Sequence, residues 1–255
     1  RKGDGSLVSD NTLYRNIFDH ISSVAGRYSG KIKGWDVVNE AILDDGSYRE
    51  NDFYKISADE YIFKSFEIAH KIDPNAELYY NDFSMYKPEK CDAAIRIANK
   101  ILERGLRIDG IGLQAHWGLD YPLIDEIETS ILKIHEAGFR VHFTELDIDV
   151  LPNLWEIEGA DLSDNFKSND QLNPYKSSLP DSISDLLSNR YSEIFELFDK
   201  HNDKIDRVTF WGLSDGHSWK NDWPAKGRTN YPLLFDRENN PKKAYKDIMM
   251  LFNEK

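Results

Sequence analysis

One cysteine, Cys91, stands in the 255-residue chain, so no internal disulfide can form and the redox compartment is not legible from bridges. Long apolar runs are missing as well, which excludes membrane insertion through a spanning helix. The opening Arg1-Lys2-Gly3-Asp4-Gly5 has neither an initiator methionine nor a signal-peptide core, and carries no targeting information. Positive charge is scarce: 32 Lys and Arg against 45 Asp and Glu leave a formal charge of -13. Such a surface repels phosphate at long range, so nucleic acid and anionic membrane are excluded as partners and a neutral polymer fits better.

What is present is enough apolar material, 40%, to bury a sizeable core in one large α/β barrel or two small domains. Aromatics reach 13%, with six Trp. Flat rings stack on sugar faces, but any single ring is more often a core residue. Five short segments join β-branched or aromatic runs to polar C-terminal ends: Trp35 to Asn39, Leu78 to Asn81, Ile111 to His116, Val141 to Asp147 and Val208 to Leu213. Helical patterns lie around and between them. Thr12 to Tyr28 reads as helical, and Ser57-Ala58-Asp59-Glu60 reads as a capping box opening a helix that ends near Asp73-Pro74. Pro88 and Gly105 bracket another helix. Ile124, Ile127, Ile131 and Ile134 form one buried stripe of a third, stopped by Gly138. Alternating strands and helices with near-continuous apolar strands imply parallel strands covered by helices, an α/β fold of the (β/α)8 TIM-barrel type. The expectation is that this chain supplies about the last five βα units, the N-terminal strands 1–3 being missing. The irregular stretch from Leu151 to about Asp181, rich in Asp, Asn, Ser and Pro, is expected to be a substrate-contacting loop.

Two strand ends carry chemistry. Asn39-Glu40 closes the first segment and Glu145 lies near the end of the fourth, in Phe143-Thr144-Glu145-Leu146-Asp147. A single strand-end glutamate is more often half of an ion pair, but two on separate barrel strands could flank one glycosidic bond. Cleavage there needs one protonated carboxyl for the leaving oxygen and one ionised carboxylate for attack or for activating water. Side chains alternate along a strand, so Glu145 and Asp147 share a face, and His116 ends the preceding strand beside them. A histidine between the two would orient Glu145 and keep it ionised. A metal site is the competing reading of that trio. It ranks lower, because no second histidine sits at ligand spacing and no thiol is near. Trp211 and Trp219 flank a Gly, Ser and Asp-rich stretch, suggesting partly exposed rings for stacking on a pyranose, and Asn39 could donate to a sugar 2-hydroxyl.

These residues resemble family 10 glycoside hydrolases. The matching blocks are Trp35-Asp36-Val37-Val38-Asn39-Glu40-Ala41, Leu78-Tyr79-Tyr80-Asn81-Asp82, Asp109-Gly110-Ile111-Gly112-Leu113-Gln114-Ala115-His116, Thr144-Glu145-Leu146-Asp147, Trp211-Gly212-Leu213-Ser214-Asp215 with Ser218-Trp219, and Pro232-Leu233-Leu234-Phe235-Asp236. They stand in family order along nearly the whole chain. The resemblance implies that residues 1–255 are the C-terminal part of a single catalytic barrel. It also implies an endo-1,4-β-xylanase that cleaves internal bonds of xylan with retention and takes xylan or xylooligosaccharide as its substrate. On it, Glu40 matches the acid/base, Glu145 the nucleophile, and His116 and Asp147 the nucleophile's support. Asn39, Gln114, Trp211 and Trp219 match contacts to the sugar on the non-reducing side, and Tyr80 and Asn81 match contacts to the leaving-group sugar. No cofactor or metal is implied, and the polymeric substrate implies a secreted, periplasmic or cell-surface location.

The sequence departs from the family pattern in three places. Phe83 stands where a tyrosine is common, and Asn189-Arg190 replaces the usual Gln-Ala before Tyr191. The polar groups that family members carry on their first three strands have no counterpart here. The expectation is therefore that an N-terminal part of the barrel exists as a separate piece or precedes an insertion such as a carbohydrate-binding module. Without it, two strand edges are open and the chain alone is not expected to be stable or active. Two alternatives stand beside the xylanase reading: a non-catalytic sugar-binding barrel, and the same chemistry on mixed-linkage β-glucan.

Overall fold

Parallel strands and covering helices emerge where the hydrophobic periodicity places them. The structure, a computed structural model, describes residues 1–152, 172–224 and 226–253. The elements are helix α1 (Asp10–Val24), strand β1 (Gly34–Asn39), helices α2 (Asp52–Ser57) and α3 (Glu60–Ile72), strand β2 (Glu77–Asp82) and helix α4 (Pro88–Glu103). There follow strands β3 (Gly110–Leu113) and β4 (His116–Gly118), helix α5 (Ile124–Glu136), strand β5 (Arg140–Asp149), helix α6 (Asp181–Lys200), strand β6 (Ile205–Phe210) and helix α7 (Lys243–Asn253). The fold is α/β with a parallel sheet. Among the described residues, no helix is long and apolar enough to cross a membrane. Most of the loop expected between Leu151 and Asp181 lies outside the described residues.

The chain divides into two compact units. The first comprises residues 1–114, 129–143 and 204–207, and the second residues 115–128, 144–203 and 208–255. In the first unit β1, β2, β3 and the opening of β5 pair in parallel in that order. Their inward residues, among them Leu78, Ile111 and Val141, are completely buried together with Ile62, Phe66 and Ile101 of the helices. Full burial of each such side chain contributes about 1.5–3 kcal/mol. Pro88 opens α4 at its first turn, where the absent N–H is not missed. The lone Cys91 faces inward from the same helix and is wholly enclosed, and burial pushes its thiol up to about 11.

In the second unit the C-terminal part of β5 pairs with β4, with His116 in register with Asp147. Its core gathers Leu146, Ile148, Tyr191, Ile194 and Leu233, and the Tyr191 hydroxyl donates to the Pro232 carbonyl at 2.6 Å. Arg190, one of the departures from the family pattern, is buried and donates to the carbonyls of Gly118 and Pro122. It thereby ties down the loop leading to α5.

Three local expectations are corrected. The segment from Ile111 to His116 is two strands, because Ala115 takes φ +65, a left-handed value that ends β3 after Leu113. The proposed capping box is not formed. Ser57 is the last residue of α2, and its hydroxyl donates to the Phe53 carbonyl. Asp59 then precedes α3 without a side-chain cap. On α5, Ile127, Ile131 and Ile134 are fully buried but Ile124, in the first turn, is only half-buried.

Candidate active site

In the first unit the site begins with a strand irregularity. The pairing of β1 with β2 slips between Asp36 and Val38, which places Asn39 opposite Asn81. The Asn81 amide then donates to Asn39 Oδ1 at 3.0 Å. Gln114 divides its amide hydrogens between Asn39 Oδ1 at 3.1 Å and Glu40 Oε1 at 3.0 Å, and Asn39 itself reaches Glu40 Oε1 at 3.4 Å. The Glu40 carboxylate is thus aimed by two amides. Its backbone lies at φ +58, a conformation costing a non-glycine residue on the order of 1–3 kcal/mol and concentrated at functional sites.

Asn39 is exposed and Glu40 half-buried, so both can meet a ligand. Three other expected sugar contacts cannot in this structure. Asn81 is 1% and Gln114 3% exposed, and their amides serve Asn39 and Glu40. Tyr80 is completely buried; its hydroxyl donates to Asp82 at 2.5 Å and accepts from the Ala41 N–H at 3.1 Å. Parallel strands are buried on both faces, so the aromatic pair in β2 has no sugar-facing side. Sequence reasoning missed Lys90. It is fully enclosed, 3.0 Å from Asp82 and 3.5 Å above the Phe83 ring. The signal was available, since Lys90, Ala94 and Ile97 share one buried stripe of α4.

In the second unit His116 bridges two carboxylates. Its Nδ1 lies 2.8 Å from Asp147 Oδ1 and its Nε2 3.2 Å from Glu145 Oε2. Burial alone would lower the imidazole's pKa, but the hydrogen bonds to Asp147 and Glu145 outweigh it and hold the pKa above its ordinary value. Asp147 is fully buried, whereas the Glu145 side chain keeps 13% exposure. Trp219 donates its indole N–H to Asp147 Oδ2 at 2.9 Å and places its ring 4.9 Å from that of His116. Lys220, also missed, is buried 3.5 Å from Asp147 Oδ1. Only its place after Trp219 could have drawn attention to it.

The two expected stacking residues differ. Trp211 follows β6 directly and is 46% exposed, with its backbone N–H held by the Leu146 carbonyl at 3.1 Å. Trp219 is half-buried and lies nearly parallel to Trp223, which is 55% exposed. The loop carrying Trp219 is anchored by buried Asp215, which pairs with Lys242 at 3.0 Å and accepts from the Leu233 N–H at 2.9 Å. Among the described residues no group of three or more His, Cys, Asp or Glu is arranged to hold a metal ion.

Known proteins resemble this chain in sequence and in fold. The chain is 45% identical over 249 residues to endo-1,4-beta-xylanase A of Xylanibacter ruminicola, covering 98% of this chain and 68% of that protein. It is 37% identical to an endo-1,4-beta-xylanase of Geobacillus stearothermophilus, covering 94% of this chain and 69% of that protein. Among solved structures, a family 10 endoxylanase retrieved from sugarcane soil metagenome superposes with a TM-score of 0.90 at 43% identity, covering 98% of this chain and 71% of the other. The model of glycosyl hydrolase family 10 matches residues 4–251, and with likeness in sequence and in fold running over the same span, the chain belongs to that family.

Proposed function

We propose that this chain is a retaining endo-1,4-β-xylanase in which Glu145 is the nucleophile and Glu40 the acid/base. The observation that carries the reading is the His116 bridge: an imidazole fixed by buried Asp147 whose other ring nitrogen meets the one carboxylate of the cluster that retains access to solvent. Glu145 would attack the anomeric carbon, forming a glycosyl-enzyme ester as Glu40 gives its proton to the departing sugar oxygen. Glu40, now ionised, would take a proton from water, whose oxygen attacks the same carbon and releases Glu145. The double displacement returns the starting anomer and both carboxyl groups to their initial states. It asks for no cofactor, and it requires the two carboxyl groups to flank the bond about 5–5.5 Å apart.

Asn39, exposed beside Glu40, would donate to the sugar 2-hydroxyl, and Trp211 and Trp219 would stack on the pyranose. The parallel strands are read as belonging to a (β/α)8 barrel completed by further βα units. Support comes from β1, which among the described strands pairs with β2 alone. A polymeric substrate places the reaction outside the cytoplasm. The test of mechanism is the anomer first released from xylan, followed by NMR. The β-anomer is expected, and early release of the α-anomer would sink the proposal.

A further inference from the structure

Glu40 occupies a left-handed backbone conformation that nothing in its own side chain favours. The surroundings must hold it there, and the first unit shows how. The Glu40 N–H donates to the Asn81 carbonyl at 3.0 Å, and the Glu40 carbonyl accepts from Arg49 Nε at 3.0 Å. The next peptide is fixed as well, because the Ala41 N–H donates to the Tyr80 hydroxyl at 3.1 Å. That hydroxyl is locked in turn by Asp82 at 2.5 Å, and Asp82 by the enclosed Lys90 at 3.0 Å. Arg49 is delivered to its place by a folded-back loop. The Arg49 N–H donates to the Ala41 carbonyl at 2.8 Å, and Ile42 bridges Tyr48 in antiparallel fashion. Gly46 turns this loop at φ +79, where a side-chain carbon would meet the Glu89 carbonyl at 2.7 Å.

We propose that Tyr80 and Arg49 are positioning residues that clasp the Glu40 peptide on either side and set the direction of its carboxyl. The inference rests on the acid/base reading of Glu40 and adds two residues that act on it through its backbone. Tyr80 is fully buried, so its effect on turnover passes through Ala41 and Glu40. In the first step, which kcat/KM reports, a misdirected acid harms only those substrates whose leaving group needs its proton; the second step needs Glu40 as base whatever group has left.

That selectivity supplies the experiment. Tyr80→Phe removes one oxygen. Its kcat on xylan is expected to fall roughly 10- to 100-fold with KM held within about twofold. On an aryl xylobioside with a dinitrophenolate leaving group, which departs without a proton, kcat/KM should fall by less than about threefold. Tyr79→Phe is the control, because the Tyr79 hydroxyl on the same strand serves Glu77 and Asp206 and not the clasp; it should leave both substrates unaffected. Should Tyr80→Phe fail to accumulate as folded protein, Arg49→Met supplies the same two-substrate comparison. Equal losses on both substrates, or none on either, overturn the clasp. Glu40→Ala separates this failure from the other: if it shows no dependence on the leaving group, the acid/base reading itself is wrong and the clasp falls with it.

Discussion

Around Glu40 the neighbours are amides, while around Glu145 they are charges. Asn39 and Gln114 touch the first carboxylate, and the backbone beneath it is bent into a conformation that costs free energy. His116 touches the second, with Asp147 and Lys220 behind it, and Glu145 lies within the regular strand β5. A nucleophile must be held in one orientation, and a histidine fixed by a buried carboxylate serves that end. An acid/base must carry a proton in one step and lose it in the next, so neutral dipoles that tolerate both states suit it better. On the proposed reading, one residue type takes two roles through its company.

The largest test of this contrast is Glu145→Ala. Losing a covalent nucleophile should lower turnover of xylan by about 10⁴-fold or more while xylooligosaccharide binding, read by calorimetry, is largely kept. Turnover equal to the parent would undo the assignment. Glu40→Ala should cost less, about 10²- to 10⁴-fold in kcat/KM on xylan, with most of that kcat/KM loss recovered on a dinitrophenyl glycoside. If the two alanine variants responded identically to the leaving group, the division of roles would be lost.

Smaller effects should appear in stability, where two histidines, buried His142 and half-buried His116, respond to pH in opposite senses. In the first unit His142 is 7% exposed, and neither ring nitrogen has a hydrogen-bond partner. Burial, helped by Arg207, lowers its pKa to about 4. The unfolded chain takes up that proton near pH 6.5, so stability present above this value is lost as pH falls toward 4, by about 3 kcal/mol in all. His116 in the second unit has a raised pKa, so its contribution is full below pH 6.5 and is lost as pH rises through the folded value. Chemical denaturation across pH checks both: His142→Phe should flatten the limb below pH 6.5, and His116→Asn the limb above it. An unchanged limb in either variant would refute that histidine's part.

The elements were legible from the sequence because their burial is periodic. Ile127, Ile131 and Ile134 announce the core face of α5, and the polar end of β1 announces Glu40, whereas Glu145 lies in the middle of β5. What could not be read arises from tertiary bonds. Neither Glu40 nor Ala115 is a residue type that favours positive φ, so a bent backbone at both positions has no local signal. Tyr80 looked available to a sugar because aromatic rings often are, yet the strand bearing it is enclosed on both faces. Lys220 reads as a surface residue, since Asp147, the carboxylate that allows its burial, comes from a distant part of the chain.

The isolation of Cys91 has a practical use. With a single thiol in the chain, enclosed on α4 next to Lys90, any alkylation by iodoacetamide records one event. The sulfur can react only after that helix lifts from the sheet, so the labelling rate against that of a free thiol gives the opening free energy of the region behind Glu40. Ligands that tighten this side of the molecule would slow the label, and their occupancy could be followed without any turnover at all.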